Sequence, residues 1–424
     1  MKQREKDLGE LNIRERWSTL DGYFEILEKK GLAFNFATLV GHGNLRACIA
    51  GYEDKRLTAS DKKKMRILLR GSLREGAIGI STGLIYPPGI YSDTEELVDL
   101  ARCCKKLIYT SHMRSEGDKL IESVEEIIRI GKEAGIKVHI SHIKTSGEKN
   151  WHKIGNAISM IEDARKNGAR ITCDRYPYTA ASTDLDTILP SWAYEGGTEK
   201  ELKRLKSLKF QKKMKKEILC EHPEKEYWEG VIVASVSSEK NRWMEGKSIA
   251  CIAHYESSEP VDILFKILIE ERLRVGAIFS SMNEDNLRRF LSLPYVMIGT
   301  DSSSRCTSGP TCKGKPHPRG FGSFPRFLGR YVRDNGVISM REAVHKITMF
   351  PAKTFGIDKR GVIRKGAFAD LVIFDHGKII DRATFDEPFL KPEGICYVFV
   401  NGKPAIWDGK PTGIFAGRVL RHGR

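Results

Sequence analysis

Two stretches decide the fold, LIYTSHMRSEGD at 107–118 and IKVHISHIKTSG at 136–147. Each opens with a short apolar run and ends that run in a histidine, His112 in the first stretch and His142 in the second. Short, continuously apolar runs are typical of strands that are buried on both faces of a parallel sheet. Side chains that follow such strands meet at one edge of the sheet. The two stretches therefore predict a polar site at that edge.

Four further short runs are also apolar, and stretches with a helical pattern separate the six runs. The six predicted strands are 36–40, 77–81, 107–111, 136–141, 170–174 and 296–300. Strands that alternate with helices indicate an α/β fold with a parallel sheet. A TIM-type β/α barrel is favoured over a doubly wound open sheet, because no glycine-rich dinucleotide loop opens any of the helices. A closed barrel needs eight strands, so the sequence predicts a barrel that lacks its first two.

The chain divides into units that differ in their pattern of apolar and polar residues. The predicted units are a helical lead-in at 1–35, the barrel at 36–355 with an inserted cap at 195–294, and a β-rich segment of a small sandwich at 356–424. The cap opens with a lysine-rich stretch that predicts one helix over 199–218. In the last unit, Asn401-Gly402 between alternating residues predicts a tight hairpin turn.

Charge and cysteine content limit the class of protein. Lys+Arg 71 against Asp+Glu 55 gives a net charge of +16, which suits nucleic acid, an anionic surface or an anionic substrate. The lysine-rich stretch interleaves only one aromatic residue, Phe210, so we expect no nucleic-acid partner. Nine scattered cysteines and the lack of any signal-peptide-like or ~18-residue apolar stretch predict a cytoplasmic protein without a disulfide scaffold or membrane partner. The oligomeric state is not predicted.

His112, His142 and Asp301 each follow one of the predicted strands. Imidazole nitrogens and a carboxylate oxygen are the usual ligands of a hydrolytic zinc site. Histidines at strand ends also serve as structural hydrogen-bonding residues. On the pattern alone, both interpretations stay open.

Eight blocks of the sequence resemble, in the same order, the N-acyl-D-amino-acid deacylases (D-aminoacylases) of the amidohydrolase superfamily. The blocks are GHGNLR (41–46), GAIGISTGLIYPPG (76–89), SHMRSEGD (111–118), ISHIKTSG (140–147), DRYPYTAASTDL (174–185), GTDSSS (299–304), HPRGFGSFPRFLGRYVR (317–333) and KGAFADLVIFD (365–375). The resemblance implies a metal-bearing barrel beside a small β-sandwich. It also implies zinc-dependent hydrolysis of the amide bond of a small-molecule N-acyl-D-amino acid.

The resemblance implies roles for particular residues. His112 and His142 are implied to be zinc ligands, and Asp301 to contact the metal site and to carry the catalytic proton. Substrate contacts are implied for five more residues, Lys144 and Arg319 with the substrate carboxylate, and Tyr86, Tyr176 and Ser182 in the substrate pocket.

The sequence departs from the family pattern at its start. Members of the family carry an early His-x-His pair and a cysteine ligand, whereas this sequence contains no His-x-His and begins to resemble them near Trp17. We therefore expect weak zinc binding, at one or two sites, and reduced activity. A fragment or misplaced start, a protein completed by another chain, and a degenerate barrel are the open explanations.

Two other functions stay open at this stage. A cyclic-amide hydrolase of the dihydroorotase or hydantoinase kind would usually end a strand in a carboxylated lysine, and no predicted strand does so. A non-catalytic barrel is the other alternative, because family ligands are missing.

Overall fold

The computed structural model describes residue 9 and residues 13–423. The strands are β1 Val40–Gly41, β2 Gly79–Gly83, β3 Ile108–His112, β4 Lys137–Ile140, β5 Ile171–Arg175, β6 Ala180–Asp184, β7 Val231–Ser235, β8 Gly276–Ser280, β9 Val296–Ile298, β10 Leu371–Phe374, β11 Ile395–Val400, β12 Lys403–Trp407 and β13 Lys410–Pro411. The α-helices are Leu20–Lys30, His42–Ala50, Ala59–Glu75, Thr94–Ala101, Leu120–Ala134, Ile154–Lys166, Thr198–Leu205, Leu208–Glu221, Lys225–Glu229, Ile249–Tyr255, Pro260–Glu270, Glu284–Ser292, Arg319–Arg326, Met340–Ile347 and Met349–Phe355. Residues 1–8 and 10–12 of the predicted lead-in lie outside the described residues.

Each predicted run contributes to one parallel sheet with the order β1-β2-β3-β4-β5-β9. This consecutive order resembles a barrel wall and does not reverse as a doubly wound sheet does. Within the described residues, β1 and β9 form the two edges and do not pair, so the sheet is open and barrel closure is not seen. The prediction for 36–40 was wrong except at Val40, because Phe36 pairs instead with the C-terminal segment at Val419.

Helices pack on the sheet through a regular apolar stripe. In the helix Leu120–Ala134, the buried Leu120, Val124 and Ile127 lie three or four residues apart, the spacing that places side chains on one face. Gly135 ends this helix in the left-handed conformation, with φ of 65°, which glycine adopts without a steric penalty. The resulting core fixes the sheet whose C-terminal edge carries the site.

A second, antiparallel sheet with the order β6-β8-β7 lies between β5 and β9 in the sequence and has its own apolar core. The single helix predicted over 199–218 was wrong, because Ser207 is extended and separates two helices. Leu205 is fully buried in the core of this cap, whereas Leu208 is 74 % exposed, so the apolar stripe does not continue across the break. The predicted cap boundaries, 195–294, stay a prediction.

The C-terminal part forms an antiparallel sheet with the order β10-β11-β12-β13. The predicted hairpin turn is confirmed, since Asn401 and Gly402 join β11 to β12 with φ of 49° and 81°. All nine cysteines are free thiols. In the part of the chain that the structure describes, no helix is both long and apolar enough to span a bilayer.

Candidate metal-binding active site

Two histidines meet at the C-terminal edge of the parallel sheet, as predicted. His112 is the last residue of β3, and His142 lies just beyond β4. Nδ1 of His112 and Nε2 of His142 are 3.0 Å apart. His142 has a positive φ of 38°, a conformation that costs a non-glycine residue free energy and that often marks a functional site.

Asp174 holds His142 in this conformation. The backbone N–H of His142 donates to Asp174 Oδ1 (3.0 Å), and Asp174 Oδ2 lies 2.7 Å from Nε2 of His139. Burial alone would raise the pKa of Asp174, but the hydrogen bond and charge of His139 hold this pKa below its usual value. An ionised Asp174 thus holds the backbone of His142 through a hydrogen bond. Sequence reasoning did not assign this role to Asp174.

The third member of the group is Glu116, in the loop after β3. Its Oε1 lies 2.8 Å from Nδ1 of His142 and accepts a hydrogen bond from Lys144 Nζ. Potential ligand atoms of His112, Glu116 and His142 all lie within 4.8 Å of one another. Sequence reasoning missed Glu116. The available signal was an acid four residues after His112, inside a block already recognised as family-like.

The charge states of this group suit a divalent metal. Burial lowers the pKa of His112 to about 3, so the ring is neutral at pH 7, and its Nε2 has no hydrogen-bond partner among the described residues. Burial opposes ionisation of Glu116, but Lys144 and the two histidines hold its pKa well below the usual value. Two imidazoles and an ionised carboxylate are ligands that zinc accepts, so the residues fit this metal.

Asp301 is not among the residues whose potential ligand atoms cluster with those of His112 and His142, and its predicted contact with the metal stays a prediction. It lies beyond β9 with a φ of 46°, and its Oδ2 pairs with Arg319 Nη1 at 2.8 Å. The proton-carrying role of Asp301 stays a prediction.

The residues predicted to contact substrate form one continuous set beside the histidines. The guanidinium of Arg319 stacks 4.5 Å from the ring centroid of Tyr176, and Lys144 Nζ lies 5.8 Å from the same centroid. Arg319 also donates to the backbone oxygen of Ser182 (3.2 Å). Tyr86 contacts the first histidine, with its ring centroid 5.3 Å from that of His112.

A cavity of about 530 Å³ is lined by Ser182 and Arg319 of this set and by residues of the cap, whereas Lys144, Tyr176 and Tyr86 do not line it. Asp301 and Arg319 form part of its wall, and Ser182 and Thr183 of β6 form another part. Thr183 also accepts or donates the 2.8 Å hydrogen bond of the Tyr86 hydroxyl. The cavity is large enough for a small organic molecule whose one end reaches Arg319.

The amidohydrolase family profile matches residues 14–406. The chain belongs to this family, among its N-acyl-D-amino-acid deacylases. A D-aminoacylase of Alcaligenes xylosoxydans xylosoxydans is 33 % identical over 409 residues, which are 96 % of this chain and 74 % of that protein. This result confirms the resemblance found in the sequence.

Solved structures agree with the family assignment. The zinc- and phosphonate-inhibitor complex of an N-acyl-D-glutamate deacylase from Bordetella bronchiseptica superimposes with a TM-score of 0.80 at 31 % identity, covering 96 % of this chain and 75 % of the other. A dihydropyrimidinase from Brevibacillus agri reaches a TM-score of only 0.52 at 13 % identity, covering 96 % and 78 %. The second similarity concerns the fold alone.

Proposed function

We propose that this chain hydrolyses the amide bond of N-acyl-D-amino acids to a carboxylate and a free D-amino acid. The observation that carries the proposal is the His112–Glu116–His142 group beside a cationic pocket at the edge of the sheet. Relatives that match nearly the whole chain are a D-aminoacylase and an N-acyl-D-glutamate deacylase. The fold that we propose for the site is an incomplete β/α barrel, supported by the consecutive strand order.

Zinc is the metal that we propose for the group. His112 would ligate through Nε2, which has no other partner among the described residues, and Glu116 and His142 would complete the set. When bound, zinc would lower the pKa of a water molecule and polarise the amide carbonyl. Oε1 of Glu116 contacts Lys144, and its Oε2 faces Nε2 of His112 at 3.9 Å, so Oε2 is the oxygen available to the metal.

Asp301 moves the proton in this proposal. Arg319 occupies Oδ2 of Asp301, so Oδ1 is the oxygen left to accept a proton from the attacking water. The same oxygen returns that proton to the leaving nitrogen when the C–N bond breaks, as a general base followed by a general acid. The ion pair keeps the carboxylate oriented between the two events.

Lys144 and Arg319 orient the substrate. Both cations lie over Tyr176, so a carboxylate placed there receives charge-assisted hydrogen bonds from two sides. Fixing the carboxylate places the scissile amide near the histidines, and this positioning lowers the entropic part of the barrier. A cyclic-amide hydrolase has less support, because the relatives with that activity share only the fold.

The test compares purified protein in zinc-containing buffer on N-acetyl-D- and N-acetyl-L-amino acids, with release of free amine as the readout. We expect hydrolysis of the D-enantiomers only. Asp301→Asn should lower kcat about 10²- to 10⁴-fold and keep the zinc, because an amide cannot accept the proton. His376→Ala, at an exposed histidine outside the site, is the control. Equal turnover of L-substrates contradicts the proposed D-specificity. No turnover at any zinc concentration contradicts the proposal and leaves a non-catalytic barrel.

A further inference from the structure

The segment Ser281–Met282 leaves the cap after β8 and leads into the helix Glu284–Ser292. It touches two loops of the parallel sheet at once. One loop follows β4 and carries Lys144. The other follows β5 and carries Tyr176. Both residues belong to the proposed carboxylate pocket, although they lie on different strands of the sheet.

The first loop is tied to the segment by three hydrogen bonds. The backbone oxygen of Ser281 accepts from the N–H of Gly147 (2.8 Å) and from Nε1 of Trp151 (3.0 Å). The hydroxyl of Ser146 donates to that of Ser281 (3.0 Å). Ser146 is only two residues beyond Lys144, so these bonds restrain the backbone that positions the ammonium group.

The second loop is tied through Met282. Its N–H donates to the backbone oxygen of Thr179 (3.2 Å), and its Sδ accepts from Arg175 Nη2 (2.8 Å). The guanidinium of Arg175 lies 4.3 Å from the ring centroid of Tyr176. The segment therefore reaches Tyr176 through one side chain and Lys144 through one short loop.

We propose that Trp151 and Ser281 are positioning residues that hold Lys144 and Tyr176 at the separation that binds the substrate carboxylate. The inference rests on the proposed function, because it needs the carboxylate pocket. The Lys144 loop is also held by the N–H of Ile143, which donates to the backbone oxygen of Asp174 (2.9 Å), and by the N–H of Ser146, which donates to that of Glu116 (2.7 Å). The segment Ser281–Met282 adds contacts to both loops at once, and this bridge of contacts further restrains the distance between the cation and the ring. The bridge comes from the cap, which makes the cap part of the binding machinery.

The test removes one donor of the bridge and keeps an aromatic ring in its place, and the control variant carries the same loss of volume. Trp151→Phe deletes the indole N–H, and Trp192→Phe is the matched control, since Trp192 donates through Nε1 to Glu217 within the cap (2.8 Å). For N-acetyl-D-alanine, we expect Trp151→Phe to raise KM about 3- to 10-fold with kcat nearly unchanged, the size of one lost hydrogen bond. For the corresponding carboxamide, KM should not change. Ser281→Ala, which loses only the hydroxyl contact, should act in the same direction and less strongly.

Several outcomes overturn the inference. Three results would mean that Trp151 acts through general stability. They are an equal rise in KM for acid and carboxamide, a fall in kcat alone, and a rise in KM for the acid but not for the carboxamide in Trp192→Phe. Calorimetric binding of N-acetyl-D-alanine to zinc-free protein repeats the comparison without turnover. An inactive wild type that binds the acid more tightly than Trp151→Phe overturns the proposed function alone. Equal dissociation constants overturn the bridge, and no binding to the wild type overturns both.

Discussion

Two buried glutamates, one at the sheet edge and one in the cap, are held in opposite charge states. Lys144 and two histidines hold the pKa of Glu116 well below its usual value in spite of burial. Burial and the nearby Asp186 raise the pKa of Glu201 to about 8. Burial favours the neutral form of a carboxyl group, whereas adjacent cations and hydrogen-bond donors favour the ionised form. The comparison teaches that the chain concentrates its buried positive charge at the edge of the sheet, where an anionic substrate or a metal would bind.

The largest expected effect comes from removing that positive charge. Lys144→Met and Arg319→Met should each depress kcat/KM for N-acetyl-D-amino acids roughly 30-fold to several thousandfold relative to the corresponding primary amides. The reason is that a buried carboxylate without its cation loses a charge-assisted hydrogen bond. Steady-state kinetics on the two substrates of each pair gives the ratio.

The ratio is informative because both variants also disturb other partners. Lys144 contacts Glu116, and Arg319 contacts Asp301, so each substitution harms the site in general. General damage lowers turnover of acid and amide alike and cancels in the ratio. If the ratio stays at its wild-type value in both variants, the carboxylate contact is wrong and the two cations serve only their acidic neighbours.

A smaller effect concerns the cap carboxyl. The folded-state pKa of Glu201 is raised from 4.5 to about 8, so its contribution to stability is complete below pH 4.5 and is lost as the pH rises through 8. Glu201→Gln removes this loss. The variant should unfold with a free energy roughly 1–3 kcal/mol higher than the wild type at pH 9, and the difference should disappear near pH 4. Denaturant unfolding at both pH values measures it.

The opposite sign is expected for Glu116 in metal-free protein. Its folded-state pKa is lowered, so it stabilises the fold above its unfolded-state pKa, and this stabilisation is lost as the pH falls. Glu116→Gln should therefore be less stable than the wild type at pH 7. If both glutamine variants shift stability in the same direction at high pH, the contrast between the two regions is wrong.

Local patterns in the sequence were sufficient for the strands that carry the site. Apolar runs end at His112 and His142 in the sequence and in the structure, and the turn at Asn401-Gly402 follows from the backbone preferences of those two residues. These features depend on neighbours within a few residues. For this reason they can be read without knowing the tertiary structure.

Features that depend on distant partners could not be read in this way. In the sequence, the strand pattern does not distinguish Glu116 from the many other acidic residues. Its importance comes from its contact with Lys144, which lies in the loop after β4. Asp301 was grouped with the histidines because strand ends converge, but its ion pair with Arg319, which is 18 residues further along the chain, could not be read from the strand pattern. The helix predicted over 199–218 is interrupted at Ser207 because Leu205 packs in the cap core and Leu208 does not. Each of these is set by packing and not by periodicity.

The central claim is that the His112–Glu116–His142 group binds zinc. Calorimetric titration of zinc into metal-free protein tests it most directly, with His142→Ala and Glu116→Gln as variants and His376→Ala as the control. We expect one zinc per chain in the wild type and the control, and affinity at least about tenfold weaker in both site variants. A wild type that binds no zinc, or site variants that bind it as tightly as the wild type, would contradict the account.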